Sequence, residues 1–256
     1  MDALDVLSTQ LRRMSVCPHD TARNVYGWFF LNSYLQPRLG CRLRFEPQES
    51  FLTEREAVLA GGYDLVYANP YSAVLFARAR GFLPVARPVG IRDETYLVSR
   101  PGWTPPEPGR TVRVASATDK LIVHALGVGL LPALGLGDSQ VEYQFTGNHA
   151  AAAKAVMDGA TDLGFVFNET WDGLSPYSRS NLQILRQTDQ AVAFHCYLVG
   201  PQFRDRAGDV AAVLTGMTTD PDAAEILREL SFPHGIEPVA TADLDALSSL
   251  VPPAGG

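Results

Sequence analysis

The chain has 256 residues, 46% of them hydrophobic and 19% charged, with a formal net charge of −7. That length buries a substantial core in one large domain or two small ones. The negative balance offers no basic field to hold nucleic acid or an anionic membrane surface, but a small anionic ligand needs only a few local donors and is still allowed.

In chain order, residues 1–13 place apolar side chains at helical spacing and predict a short amphipathic helix, followed by a short strand over 14–17. Charges interrupt residues 1–14 where a signal peptide would carry its apolar core, and no apolar run is long enough to span a bilayer. The chain is therefore expected to be cytoplasmic if the missing export signal is genuine, and membrane insertion is not expected. Cys17, Cys41 and Cys196 do not make a disulfide framework. After Cys17-Pro18-His19-Asp20-Thr21, with Asp20 or Thr21 as cap, a helix is predicted through about Leu39 and stopped by Gly40. Its aromatic residues, Tyr26, Trp28, Phe29, Phe30 and Tyr34, read as core.

A strand over 41–47, a helix over 51–60 and an apolar strand over 63–68 lead to Asn69-Pro70-Tyr71. A helix through about Arg80 and a strand over 82–89 follow. Strand and helix alternate, so the expected architecture is α/β with mostly parallel sheets. A strand over 94–100 runs into Pro101-Gly102-Trp103-Thr104-Pro105-Pro106, read as the first crossing into a second lobe. That lobe opens with a strand over 111–116 and Ala117-Thr118-Asp119 before a helix through about Leu131. A strand over 141–145 reaches Thr146-Gly147-Asn148-His149, where Thr146 or Asn148 can cap an alanine-rich helix. A turn at Asp158-Gly159 and a strand over 163–167 then deliver Asn168 and Glu169. A strand over 182–187 precedes a long apolar one over 191–199 containing His195 and Cys196, read as the return crossing. Helices near 202–217, 221–230 and 241–250 complete the chain. The expected division is 1–98 with 195–256 as one lobe and 99–194 as the other, with a ligand cleft between them.

One pattern recurs: a strand ends, small polar residues follow, and a helix begins. It occurs at 17–21, 69–72, 116–119 and 146–149. Strand carboxyl ends are where open α/β sheets collect ligands, and helix N-termini attract anions.

Residues Tyr63-Asp64-Leu65-Val66-Tyr67-Ala68-Asn69-Pro70-Tyr71, Glu94-Thr95-Tyr96-Leu97-Val98, Gly147-Asn148-His149-Ala150-Ala151-Ala152 and 158–164 carry a resemblance. The chain resembles the phosphonate, phosphate and phosphite substrate-binding proteins of ABC transporters, which have the two-lobed type II periplasmic-binding-protein fold. The resemblance implies a small-molecule ligand, an ABC permease as partner, a periplasmic or extracytoplasmic location and no catalysis. For a chain paired with a sensor kinase, the same closure would serve as sensor input. The family's hydroxyl-rich anion loop falls at Ser116-Ala117-Thr118-Asp119, and His149 and Glu169 match positions that contact ligand. Asp119 stands where an anion would sit, which a zwitterion or a neutral or metal-bearing ligand would tolerate better than a plain dianion. The ligand set expected on these grounds is Cys17, His19, Asp20, Asn69, Tyr71, Ser116, Thr118, Asp119, His149 and Glu169, with Tyr67, Tyr96, Phe167 and Trp171 as further aromatic candidates.

No cofactor is expected on the first reading. The alternative is a sensor domain in which Cys17, His19, His149 and His195 hold a transition metal or haem iron, or in which the thiol takes an oxyanion such as arsenite. Their spacing is not that of a zinc motif. Ser116 with His149 and Glu169, or Cys17 with His19, are nominal catalytic sets, but neither has nucleophile-elbow spacing, and an enzyme is not expected.

Overall fold

The structure, a computed structural model, describes residues 10–107 and 109–252. The described residues divide into two compact units, one containing those up to Ile91 together with those from Phe194 onward, the other lying within Arg92–Ala193.

The first unit begins with β1 (Leu11–Val16), α1 (Pro18–Arg23), α2 (Val25–Leu39), β2 (Arg42–Phe45), α3 (Phe51–Leu59), β3 (Leu65–Ala68), α4 (Pro70–Arg80) and β4 (Leu83–Pro88). The expected N-terminal helix falls partly outside the described residues, and from Leu11 onward the chain is strand. Arg12 belongs to that strand because its guanidinium is buried against Asp64, 3.0 Å away, which a helical count of apolar residues does not reveal. The helix expected from Asp20 to Leu39 is two helices. Cys17 stands at the N-cap of α1 with no side-chain cap bond, and Asn24 starts α2 by accepting from Gly27 N. On α2 only Trp28 and Tyr34 of the aromatic run are buried, while Tyr26, Phe29 and Phe30 are exposed, because a helix turns one stripe inward and this run is longer than a stripe.

The second unit holds β5 (Thr95–Ser99), β6 (Val112–Ser116), α5 (Ile122–Val128), β7 (Val141–Phe145), α6 (His149–Met157), β8 (Leu163–Phe167), α7 (Asn168–Asp172), α8 (Pro176–Ser180) and β9 (Gln183–Gln187). Its sheet runs β7-β6-β8-β5-β9, with β6 parallel to β7 and β8, and β5 antiparallel to β8 and β9. Residues 92–98, assigned from sequence to the first lobe, therefore belong to the second unit. The Pro-rich run at 101–106 follows β5 inside that unit and is not the crossing. The N-cap of α5 is Leu121.

The chain re-enters the first unit with β10 (Cys196–Val199), α9 (Ala207–Gly216), α10 (Ala224–Glu229), β11 (Ile236–Pro238) and α11 (Thr241–Ser248). The strand expected from residue 191 starts only at Cys196, since Ala191 adopts φ 53° and no ladder forms before it. The first sheet runs β11-β4-β10-β3-β1-β2. Here β1, β2 and β3 are parallel, and β10 lies antiparallel to both β3 and β4.

Trp28, Leu31, Leu35, Tyr67, Tyr197 and Phe203 fill the first core. The Trp28 and Tyr67 rings lie 4.7 Å apart, so Tyr67 is core and not a ligand-facing aromatic. The second core is built from small side chains, Ala115, Ala152 and Ala153 with Val98, Val156 and Val166, which lets the alanine-rich α6 lie close to its sheet. On the other side of β8 a Cβ at Gly127 would meet the Phe165 ring at 2.5 Å, so only glycine allows α5 that approach.

Candidate functional site

In the first unit β1 and β3 end side by side, with Cys17 N donating to Tyr67 O at 2.8 Å. Asn69 caps α4 by accepting from Ser72 N at 3.0 Å. Its amide nitrogen lies 3.1 Å from Ser72 Oγ and 3.7 Å from Cys17 Sγ. Arg55 Nε also donates to Ser72 Oγ, at 2.9 Å, and its guanidinium stacks over Tyr71, 4.7 Å from the ring centre. Because β10 pairs Cys196 opposite Ala68, His195 arrives at the same edge, with its Nδ1 3.0 Å from Asp20 Oδ2. One ligand atom from each of Cys17, Asp20 and His195 lies within 4.8 Å of the others.

Electrostatics in this cluster are dominated by burial. Burial, followed by the charges of Asp20 and Glu54, pushes the Cys17 thiol well above its ordinary value. Burial also raises Asp20, but the adjacent His195 imidazole outweighs it and holds the carboxyl below the usual range. Glu54, on α3, is fully buried, and both carboxylate oxygens lack a hydrogen-bond partner among the described residues. Burial, opposed mainly by Arg55, pushes it up to about 8.

In the second unit the parallel strands β6, β7 and β8 bring three loops to one sheet edge. Thr146 N and Gly147 N donate to Ser116 O and Ala117 O, each at 2.9 Å. Gly147 takes φ +85°, a left-handed turn natural to glycine, and this sets Asn148 to cap α6 by accepting from Ala151 N at 2.8 Å. The first-turn N–H groups of His149 and Ala150 have no acceptor within the helix. Thr146 does not cap; its single O–H lies within reach of two carbonyl acceptors, Ser116 O and Asn148 O. The buried His149 ring lies 5.6 Å from that of Phe167, the last residue of β8, which makes Phe167 a wall of the core. Ser116 Oγ sits 3.1 Å from His124 Nδ1. Thr118 Oγ1 accepts from Lys120 N and donates to Asp119 Oδ1, both at 3.2 Å. Asn168 ties α7 to the neighbouring strand by accepting from Glu94 N at 3.0 Å, which places Glu169 at this edge. Tyr96 and Trp171 meet edge to face, 6.0 Å apart.

The residues expected to bind ligand thus fall into two groups, Cys17, His19, Asp20, Asn69 and Tyr71 in the first unit and Ser116, Thr118, Asp119, His149 and Glu169 in the second. Of the metal set read from sequence, Cys17 and His195 lie in the three-residue group, His19 is half-buried on α1 outside it, and His149 belongs to the other unit. The nominal catalytic sets fare no better. Ser116 is bonded to His124, and Cys17 is a buried thiol held protonated. Sequence reasoning missed Glu54, Arg55, Ser72 and His124. The one available signal was a Glu-Arg pair at positions one turn before Val58 on α3.

A family profile described as ABC transporter, phosphonate, periplasmic substrate-binding protein matches residues 14–244. The chain belongs to this phosphonate-binding family. Its fold is similar to XAC2383 from Xanthomonas citri bound to ATP, at TM-score 0.77 and 18% identity over 94% of this chain and 96% of that one. It is equally similar to PhnD1 from Prochlorococcus marinus in complex with methylphosphonate, at TM-score 0.77 and 13% identity over 94% and 96%. The periplasmic aliphatic sulphonate binding protein SsuA from Escherichia coli follows, at TM-score 0.62 and 14% identity over 94% and 91%. No curated protein matches the chain. The family member described here is thus an α/β protein of the type II periplasmic-binding-protein fold, and the family is that of transporter substrate-binding components, not of enzymes. No described helix is long and apolar enough to cross a membrane.

Proposed function

We propose that this protein binds a small oxyanion or zwitterion at the strand-end edge of its second unit and delivers it in the periplasm to an ABC permease. The observation that carries the reading is the convergence of Ser116, Thr118, His149 and the N-terminus of α6 on one sheet edge. Hydroxyls, an imidazole and first-turn N–H groups are the donors that hold a tetrahedral oxyanion. The methylphosphonate complex and the sulphonate-binding protein among the structural neighbours support that ligand class.

Asp119 adds a preference. Its carboxylate accepts a hydrogen bond from the Thr118 hydroxyl, so a bound anion must compete for that donor, whereas a ligand that also carries an ammonium group is attracted by Asp119 and Glu169. Calorimetric titration with methylphosphonate, phosphite, an aliphatic sulfonate and an aminoalkylphosphonate tests the reading. At least one is expected to bind, with affinity falling about tenfold or more in His149→Ala and Thr118→Ala, a loss of about 1.4 kcal/mol each. Binding of none of the four, or binding indifferent to both substitutions, refutes it.

A further inference from the structure

We propose that Cys17, Asp20 and His195 in the first unit form a site for a divalent late transition-metal ion, zinc being the ion their ligand set suits. This site uses no residue of the anion edge and stands or falls independently of it.

Three observations carry the proposal. A sulfur, a carboxylate oxygen and an imidazole nitrogen from distant parts of the chain lie within 4.8 Å of one another, and a mixed set with one open position is what zinc takes in three-ligand sites. Each is fixed by backbone: Cys17 by its N–H bond to Tyr67 O at the end of β1, Asp20 by the short helix α1, and His195 by the register of β10. The second observation is Glu54. It is fully buried with both oxygens lacking a hydrogen-bond partner among the described residues, and it interacts electrostatically with Cys17, Asp20 and His195. A buried carboxyl without a hydrogen-bond partner is costly, and although Arg55 and the imidazoles of His195 and His19 lie close enough to act on the two carboxyls, a cation held by the three ligands would stabilise both carboxyls and the thiol further. The sulfur narrows the choice, because an ammonium group or a hard cation gains nothing from a thiol.

Third, one of the three ligands borders open space. Asp20 also lines a cavity of about 210 Å³ with Arg23, Asn24, Trp28 and Glu229. On binding, Cys17 loses its S–H proton to solvent and His195 coordinates in its neutral form. Thiolate and Asp20 carboxylate then balance the two positive charges of the ion.

The test is a Co²⁺ titration of the whole, chelator-treated protein, followed by displacement with Zn²⁺. A thiolate-to-cobalt charge-transfer band at one equivalent is expected, removed by Zn²⁺, with proton release seen in buffers of different ionisation enthalpy. Cys17→Ser should abolish the band, and His195→Gln and Asp20→Asn should each weaken binding about tenfold or more, with folding of every variant checked by metal-free thermal unfolding. If Cys17→Ser does not fold, the other two decide. His149→Ala should leave the band intact. Absence of the band in the unsubstituted protein, its survival in Cys17→Ser, or binding indifferent to His195→Gln and Asp20→Asn overturns the proposal.

Discussion

His124 Nδ1 meets Ser116 Oγ at 3.1 Å, at the end of β6, while the imidazole packs against the rings of Tyr143 and Phe165. An expected anion ligand is thereby oriented by a histidine that lies outside every loop motif of the sequence. Burial lowers the His124 pKa, with Asp119 opposing more weakly.

A pH dependence follows from that shift. The folded state favours neutral His124, so its contribution to stability is present above the ordinary histidine value of about 6.5 and is lost as pH falls below it towards the lowered folded value. Denaturant unfolding from pH 7.5 down to 5 should show a decline that His124→Gln flattens; an unchanged slope in the variant would remove His124 as its source.

At the alkaline end the sign reverses. Burial first, and then the hydrogen bond to Asp220 at 2.7 Å, push the Tyr34 hydroxyl up to about 12. A raised pKa means the protonated group stabilises the fold below about 10, and that stability is lost as pH rises through about 12. Tyr34→Phe should abolish this transition in an alkaline unfolding series.

Asp64 anchors the start of the first sheet. It accepts from Arg12 at 3.0 Å through one oxygen and from Arg13 N at 2.9 Å through the other. Asp64→Ala leaves the buried Arg12 guanidinium without its counter-charge and should cost about 3–5 kcal/mol in chemical denaturation. A loss under 1 kcal/mol would mean that the bond to Gln202 O suffices.

Gly127→Ala tests the close approach in the second unit. The added methyl collides with the Phe165 ring and should cost about 1–3 kcal/mol. Adding Phe165→Leu should recover part of that loss, so the two changes are non-additive.

Asp119→Asn separates the two ligand classes. Removing its charge should tighten binding of a plain oxyanion several-fold and weaken that of an aminoalkylphosphonate, as read by calorimetry.

Element types, the strand-end loops and the family were legible because periodicity, Gly/Pro punctuation and the Gly-Asn-His-Ala signature are local properties. Asn69 and Asn148 cap their helices as their positions imply. What escaped were features set by tertiary partners. On α3, Leu52 is exposed and Glu54 fully buried, the reverse of what hydrophobicity alone predicts, because Glu54 faces the Cys17 cluster. The unit boundary was misplaced because β5 is claimed by β8, a pairing that no local signal near 92–98 encodes. His195 looked like an apolar-strand histidine; its partner Asp20 lies far away in sequence.

The position of β10 between β3 and β4 also governs the order in which the molecule can be completed. The second unit is one continuous stretch, Arg92–Ala193, and is fully available to fold as soon as it leaves the ribosome. The first unit is not, since its two halves of sheet have no common strand until residues 196–199 emerge. Synthesis order and folding order are thus inverted: the half of the protein made first is finished last, and β4 waits unpaired on the side that β10 will occupy. Such a waiting strand edge is a site for wrong association, and the interval in which it stays open is set by translation of about a hundred residues.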